Sequence, residues 1–259
     1  MTALAATVAC ALAIGVTLGL LGAGGSILTV PLLTFVADQP PRAAISSSLF
    51  AVAVTAAVAV IGHARAGRVR WRIGLAFGLA GMGGAYGGGR LSAHVPERAL
   101  MILFGAIMVV AAIAMLRRGD GAKPGVAGVA AATDGEEPTP RALVVLALQG
   151  AVVGALTGLI GTGGGFIIVP ALVLLARQPM HAAVGTSLFI ITLNAVAGLL
   201  GHLGQAELDW TVTLAVTGAM IAGSLGGVAL AGRVPAARLR TGFALFVLAT
   251  AVVVLVSQA

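Results

Sequence analysis

Residues 22–71 read GAGGSILTVPLLTFVADQPPRAAISSSLFAVAVTAAVAVIGHARAGRVRW, and residues 161–210 read GTGGGFIIVPALVLLARQPMHAAVGTSLFIITLNAVAGLLGHLGQAELDW. The two stretches align without a gap at a constant offset of 139, with 18 of 50 positions identical. Shared Ala, Leu and Val follow from composition. The pairs Pro31/Pro170, Gln39/Gln178, Pro40/Pro179, His63/His202 and Trp71/Trp210 do not. The same offset pairs Gly15 with Gly154, Pro96 with Pro235 and Phe104 with Phe243. The sequence therefore predicts two homologous halves, 1–117 and 141–259. Internal duplication is a hallmark of transporters. Residues 118–140, RGDGAKPGVAGVAAATDGEEPTP, hold four of the eight acidic residues and read as a mobile linker.

Composition sets the solvent. Of 259 residues, 59% are hydrophobic and 9% charged, with a mean hydropathy of +1.09. A soluble domain carries roughly 25% charged residues, so a soluble globular fold is excluded. Disorder is excluded too, because disordered chains are poor in apolar residues. The fold class expected is all-α and polytopic. Apolar runs near 3–21, 44–61, 73–89, 99–116, 142–160, 182–200, 212–230 and 241–256 predict spanning helices. Two shorter runs, 26–36 and 166–175, reach about half of a hydrocarbon core and predict half-helices. The first run lacks a positive flank and reads as a retained helix rather than a signal peptide.

Charge suggests an orientation. Lys+Arg total 15 against 8 acids, and basic residues mark cytoplasmic loops. The basic residues lack an aromatic platform, so no nucleic-acid partner is expected. One loop of the first half carries Arg65, Arg68, Arg70 and Arg72, while its counterpart carries Glu207 and Asp209. The next loop shows the reverse tendency, with Arg233, Arg238 and Arg240 in the second half. Halves inserted in opposite directions satisfy both observations. Cys10, the single cysteine, excludes an internal disulfide framework and a cysteine-based metal site. In its apolar run it reads as packing.

Three doubled motifs carry candidate chemistry. The first is the glycine cluster Gly22, Gly24, Gly25, repeated as Thr162, Gly163, Gly164, each between a long run and a short one. Pro31 and Pro170 follow and read as helix-break positions. Glycine lets a ligand approach the main chain, and a helix starting after a break presents free N–H groups to an anion. Two such breaks meeting near the midplane would form a binding site. The alternative is that the glycines only let helices touch. The second motif is Ser46-Ser47-Ser48-Leu49-Phe50, matched by Gly185-Thr186-Ser187-Leu188-Phe189. Ser47, Ser48, Thr186 and Ser187 can cap a helix or donate to an oxyanion. Asn194, whose counterpart is Thr55, lies two turns beyond Ser187 on the same helical face; it is either a ligand or interhelical glue. The third is Gly62-His63 and Gly201-His202. These histidines read as helix-end or interface groups, with a proton-coupling role as the alternative. Glycines at 81–89 and 223–227 read as helix packing.

All eight acids fall in expected loops or the linker, and no apolar run contains Asp, Glu or Lys. Carboxylate relays are a usual coupling device for protons and Na⁺, so an anion or neutral solute is favoured as cargo. No cofactor and no metal are expected.

The doubled GxGGG, VP and TSLF-like segment ending at GH resembles the TauE/SafE family, also called the sulfite exporter or TSUP family. The second half matches best, at Gly161 to Gly165, Pro170, Gln178-Pro179, Gly185-Thr186-Ser187 and Gly201-His202; the first half departs at Ser26 and Ser46. The resemblance implies a multi-spanning inner-membrane transporter of small sulfur-containing anions such as sulfite or organosulfonates. The combined expectation is a lipid-embedded anion transporter, not an enzyme. It has two inverted repeats of about four spans plus a broken half-helix each, with a coupling proton or ion as a further partner. An accessory subunit of a membrane complex and an intramembrane enzyme are the alternatives, and the oligomeric state is open.

Overall fold

The computed structural model describes residues 2–22, 26–92, 97–117, 140–160, 165–176, 178–202 and 209–256. The linker's first 22 positions lie outside them. Every regular element among the described residues is a helix. In lipid the backbone must satisfy its own hydrogen bonds, and helices do this within one segment.

The helices are α1 (Thr2–Leu21), α2 (Ser26–Pro31), α3 (Pro41–Arg65), α4 (Trp71–Ser92), α5 (Glu97–Arg117), α6 (Pro140–Ile160), α7 (Gly165–Leu174), α8 (Met180–His202), α9 (Trp210–Ala231) and α10 (Ala236–Val256). Each long apolar run is a long helix, and the two short runs are α2 and α7. Ala43–Arg65, Met180–Leu200 and Trp210–Ala231 are each long and apolar enough to cross a membrane. Large apolar side chains are exposed on the long helices, among them Leu79, Val110, Leu148, Leu200, Leu214 and Leu245. In water such a surface would aggregate; in lipid it is the solvent-matched face. The protein is an all-α membrane protein.

Some local expectations change. The prolines do not break their helices. Pro31 ends α2, which continues as a π-helical turn over Leu32–Val36, and Pro170 lies inside α7. Glu97 is not in a loop but is the first residue of α5. There a carboxylate suits the positive end of the helix dipole. Asp209 caps α9, its Oδ1 accepting from the N–H groups of Thr211 (2.9 Å) and Val212 (3.2 Å). Cys10 is exposed rather than packed.

Two helix pairs pack most intimately, α1 with α9 and α4 with α6. A Cβ on Gly15 would overlap the Met220 carbonyl, and one on Gly19 the Ser224 carbonyl. From the facing side, Gly223 meets Leu12 and Gly227 meets Val16. In the second pair Gly150 meets Phe77, Gly154 meets Gly81 and Gly84 meets Ala151. The contacts Gly15–Met220 and Gly154–Gly81 are related by the 139-residue offset, as are Gly223–Leu12 and Gly84–Ala151. Lipid tails are as apolar as leucine, so hydrophobicity does not drive helices together there. Close backbone approach through glycine does.

These contacts also fix directions. Their partners advance together along both chains, so α1 runs parallel to α9, and α4 parallel to α6. Gly185 meets His63 while Gly198 meets Leu49, so α3 and α8 run antiparallel.

Gly15→Val should therefore force α1 off α9 and cost about 1–3 kcal/mol. Gly218→Ala, where a Cβ meets nothing within 4 Å, should stay within about 1 kcal/mol of the parent, toward greater stability. Thermal unfolding of the purified proteins in one detergent checks both. Equal melting temperatures for the two variants would contradict this packing.

Candidate functional site

The first glycine break is partly described. Gly22 follows α1 with φ +84°, a left-handed conformation that glycine adopts without penalty. Its N–H donates to the Leu18 carbonyl at 2.9 Å. A Cβ on Gly22 would lie 2.6 Å from Ser187 Oγ and 3.2 Å from the Val184 carbonyl. The break at the end of α1 thus seats on the hydroxyl turn of α8. Gly24, Gly25, Thr162, Gly163 and Gly164 lie outside the described residues.

The hydroxyl motifs are not helix caps. α3 begins at Pro41 and α8 at Met180, which places both motifs in the second turn. Ser47 Oγ and Thr213 Oγ1 are hydrogen-bonded at 2.9 Å, tying α3 to α9; the Thr213 proton goes to the Asp209 carbonyl (2.7 Å), so Ser47 is the donor. Thr186 Oγ1 accepts from the Arg70 N–H at 3.0 Å, tying α8 to the turn before α4. The two ties occupy equivalent positions 139 residues apart, and each joins one half of the chain to the other. Rings repeat the exchange. Trp71 packs edge-on against Phe189 at 5.0 Å, and Trp210 against Phe50 at 5.5 Å. Ser187 donates its hydroxyl proton to the Val184 carbonyl at 2.8 Å, which leaves its lone pairs, not its proton, facing Gly22. Ser48 is buried.

His63 is fully buried in the last turn of α3. Its Nε2 lies 3.0 Å from the Gly19 carbonyl of α1. A carbonyl only accepts, so Nε2 carries the proton, and Nδ1 is a buried acceptor with no partner. Gly185 of α8 packs against its Cβ. This is the interface histidine that the sequence offered as one reading. His202 is the last residue of α8, and its side chain is outside the described set.

The antiparallel pairing of α3 and α8 decides which predicted residues meet. Gly22, Thr186, Ser187 and His63 gather at one end of the pair. Ser47 and Ser48 lie toward the other: at 1.5 Å per residue, the stretch from Ser47 to His63 spans about 24 Å. The ends of α1 and α6 point to opposite ends of the bundle, because α6 is parallel to α4 and α4 returns from the end that α1 reaches. Of the two expected breaks, residues 23–25 and 161–164 lie outside the described residues; the short helices that follow them, α2 and α7, lie against each other.

What lies between is Thr55 and Asn194. Both sit between the contacts Leu49–Gly198 and His63–Gly185. Thr55 is fully buried and its hydroxyl has no partner. Asn194 Oδ1 is likewise buried and unpartnered. The sequence singled out Asn194 but used Thr55 only as its counterpart; the 139 offset was the available signal.

Charge is unequal between the ends. Arg65, Arg68 and Arg70 sit at the Gly22 end. A Cβ on Gly232 would lie 2.8 Å from Arg68 Nη2, which brings the Arg233 loop and the start of α10, with Arg238, to the same end. Asp209 and Glu97 begin helices at the other end.

Comparison with known proteins agrees. Residues 7–254 match the family described as "Sulfite exporter TauE/SafE". A "Probable membrane transporter protein" of Xylella fastidiosa (strain 9a5c) is 35% identical over 248 residues, covering 93% of this chain and 91% of the relative. The "Probable membrane transporter protein YunE" of Bacillus subtilis (strain 168) is 31% identical over 222 residues, covering 80% and 81%. No solved structure matches the chain. With doubled motifs, a lipid-matched helical surface and a match from end to end, the chain belongs to the sulfite exporter TauE/SafE family and is a membrane transporter rather than an enzyme.

Proposed function

We propose that the protein carries small anions, sulfite or organosulfonates, across the inner membrane along the seam between α3 and α8. The observation that carries this reading is the polar content of that seam. Ser47, Ser48, Thr55, Thr186, Ser187 and Asn194 are all neutral, and Thr55 and Asn194 present buried unpartnered oxygens near its middle. An anion crossing there is held by hydroxyl, amide and backbone groups, which release it more readily than a buried charge would. The arginines at the Gly22 end concentrate anions at that mouth.

In this reading the end at Gly22 brings a glycine break and a hydroxyl turn together, Gly22 with Ser187. The middle belongs to Thr55 and Asn194. His63 and His202 are the candidate proton-coupling groups. Parallel packing of α1 with α9 and of α4 with α6 supports two inverted repeats, one half-turn apart about an axis through the α3–α8 crossing. The short helix and its return segment then count as one crossing. The arginine-bearing end faces the cytoplasm, since basic residues are retained there.

Purified protein in liposomes should pass sulfite or a sulfonate faster than a carboxylate of similar size. Asn194→Leu should cut that flux roughly tenfold or more, the loss expected for one hydrogen bond to a charged group, with membrane insertion unchanged. Undiminished flux in this variant would remove the seam from the pathway. Orientation has a separate test in a Cys10→Ala background. A cysteine at Arg68 should react with an impermeant maleimide only from the cytoplasmic face, and one at Asp209 only from the outer face. Labelling from the same face would end the inverted arrangement.

A further inference from the structure

The doubled Gln39 and Gln178 have no part in the seam just described. Both follow the short helices and are preceded by an equivalent pair of backbone bonds. Ala37 N–H donates to the Leu32 carbonyl (3.1 Å) and Gln39 N–H to the Leu33 carbonyl (3.0 Å). In the second half Ala176 donates to Ala171 (3.1 Å) and Gln178 to Leu172 (2.9 Å). Wide turns of this π type occur frequently at functional sites. Both glutamine side chains are only 6% exposed.

The two amides differ in one respect. Gln178 Nε2 donates to the Ala176 carbonyl at 3.2 Å, so its amide closes its own loop. Gln39 has neither: both Nε2 and Oε1 are buried without a partner. Two equivalent backbone bonds lead into both glutamines, and the side-chain amides diverge after them. Asp38, just before it, is held at φ +53°, a left-handed conformation that disfavours a side chain with a Cβ. Phe35, Asp38 and Pro40 around it are exposed, and the amide is turned inward from that exposed loop. Ser46, on α3 within two turns of Pro41, has a second buried hydroxyl without a partner.

A buried amide with both its donor and its acceptor vacant costs the full desolvation of each group. A hydrocarbon side chain of the same size would avoid that cost. We infer that Gln39 is a substrate-recognition residue whose amide takes a mono-protonated oxyanion. Nε2–H donates to the anionic oxygen and Oε1 accepts from the O–H on the same centre. Hydrogen sulfite has both groups; a sulfonate has no O–H and fills only the donor. This inference rests on the anion-transport reading and adds a preference within it.

The test separates a binding role from a structural one. In detergent, millimolar sulfite near neutral pH should raise the melting temperature of the parent protein, and methanesulfonate should raise it less. Gln39→Leu should abolish the sulfite shift and cut sulfite flux at least tenfold, while its own melting temperature without ligand equals or exceeds the parent's. Gln178→Leu should lower the melting temperature, because it loses the Ala176 bond. If Gln39→Leu keeps the sulfite shift and normal flux, the recognition role is wrong and the transport reading stands. If it melts as low as Gln178→Leu, the amide is structural. Should Gln39→Leu not fold, the near-isosteric Gln39→Glu replaces it: its carboxylate should repel sulfite and abolish the shift, and a retained shift overturns the proposal. A sulfite shift that Gln39→Leu removes, in a parent protein showing no flux of any anion, would refute transport and leave the site.

Discussion

The architecture depends on main chain touching main chain. At Gly15, Gly19, Gly154 and Gly223 a single methyl group has no room, because a carbonyl of the neighbouring helix occupies its place. In water such contacts would be a minor supplement to burial of apolar side chains. In lipid, association rests on van der Waals packing and backbone proximity, and Cα–H groups at this range also contribute weak hydrogen bonds. Each intimate pair joins one half of the chain to the other, α1 to α9 and α4 to α6. The halves are interlocked, so neither has a complete packing surface alone.

That interlocking explains where the hydroxyls go. A repeat that exchanged nothing could keep each motif within its own half. Here Ser47 ties to Thr213 and Thr186 to the backbone of Arg70. Trp210 and Trp71 reach across to Phe50 and Phe189. The sequence motifs therefore serve the seam in two ways. Ser47 and Thr186 fasten α3 and α8 to their other neighbours, whereas Thr55 and Asn194 keep buried oxygens without partners.

Most of the helices were legible in the sequence. Runs of apolar residues of membrane length have few other uses, and their ends fell within a few residues of the helices found. The left-handed turn at Gly22 was legible too, because a glycine cluster between a long run and a short one has a specific backbone meaning. The site was less legible. Spacing along one chain puts Ser187 and Asn194 on one face, but it does not say which helix that face meets. Expecting the paired motifs to converge was natural for two copies of one pattern. Antiparallel α3 and α8 send Ser47 and Thr186 to opposite ends, with Thr55 and Asn194 at levels between them. The caps were misread for a related reason: with prolines at 40, 41 and 179 nearby, each helix starts before its hydroxyls rather than at them.

Unpartnered polar atoms distinguish two positions whose sequences match. Stability alone would pair or delete every buried polar group at both. Gln178 shows what satisfaction looks like at this position, since its amide closes on Ala176. Gln39 is equally buried and has no such bond. The second half also replaces Ser46 by Gly185, whose hydrogen atoms leave room for the Arg68 carbonyl and His63. At the glutamine position one amide is closed and its counterpart open in hydrogen bonding. The difference has a physical use in a transporter: vacant donors and acceptors gain free energy when a ligand arrives, and a satisfied amide does not.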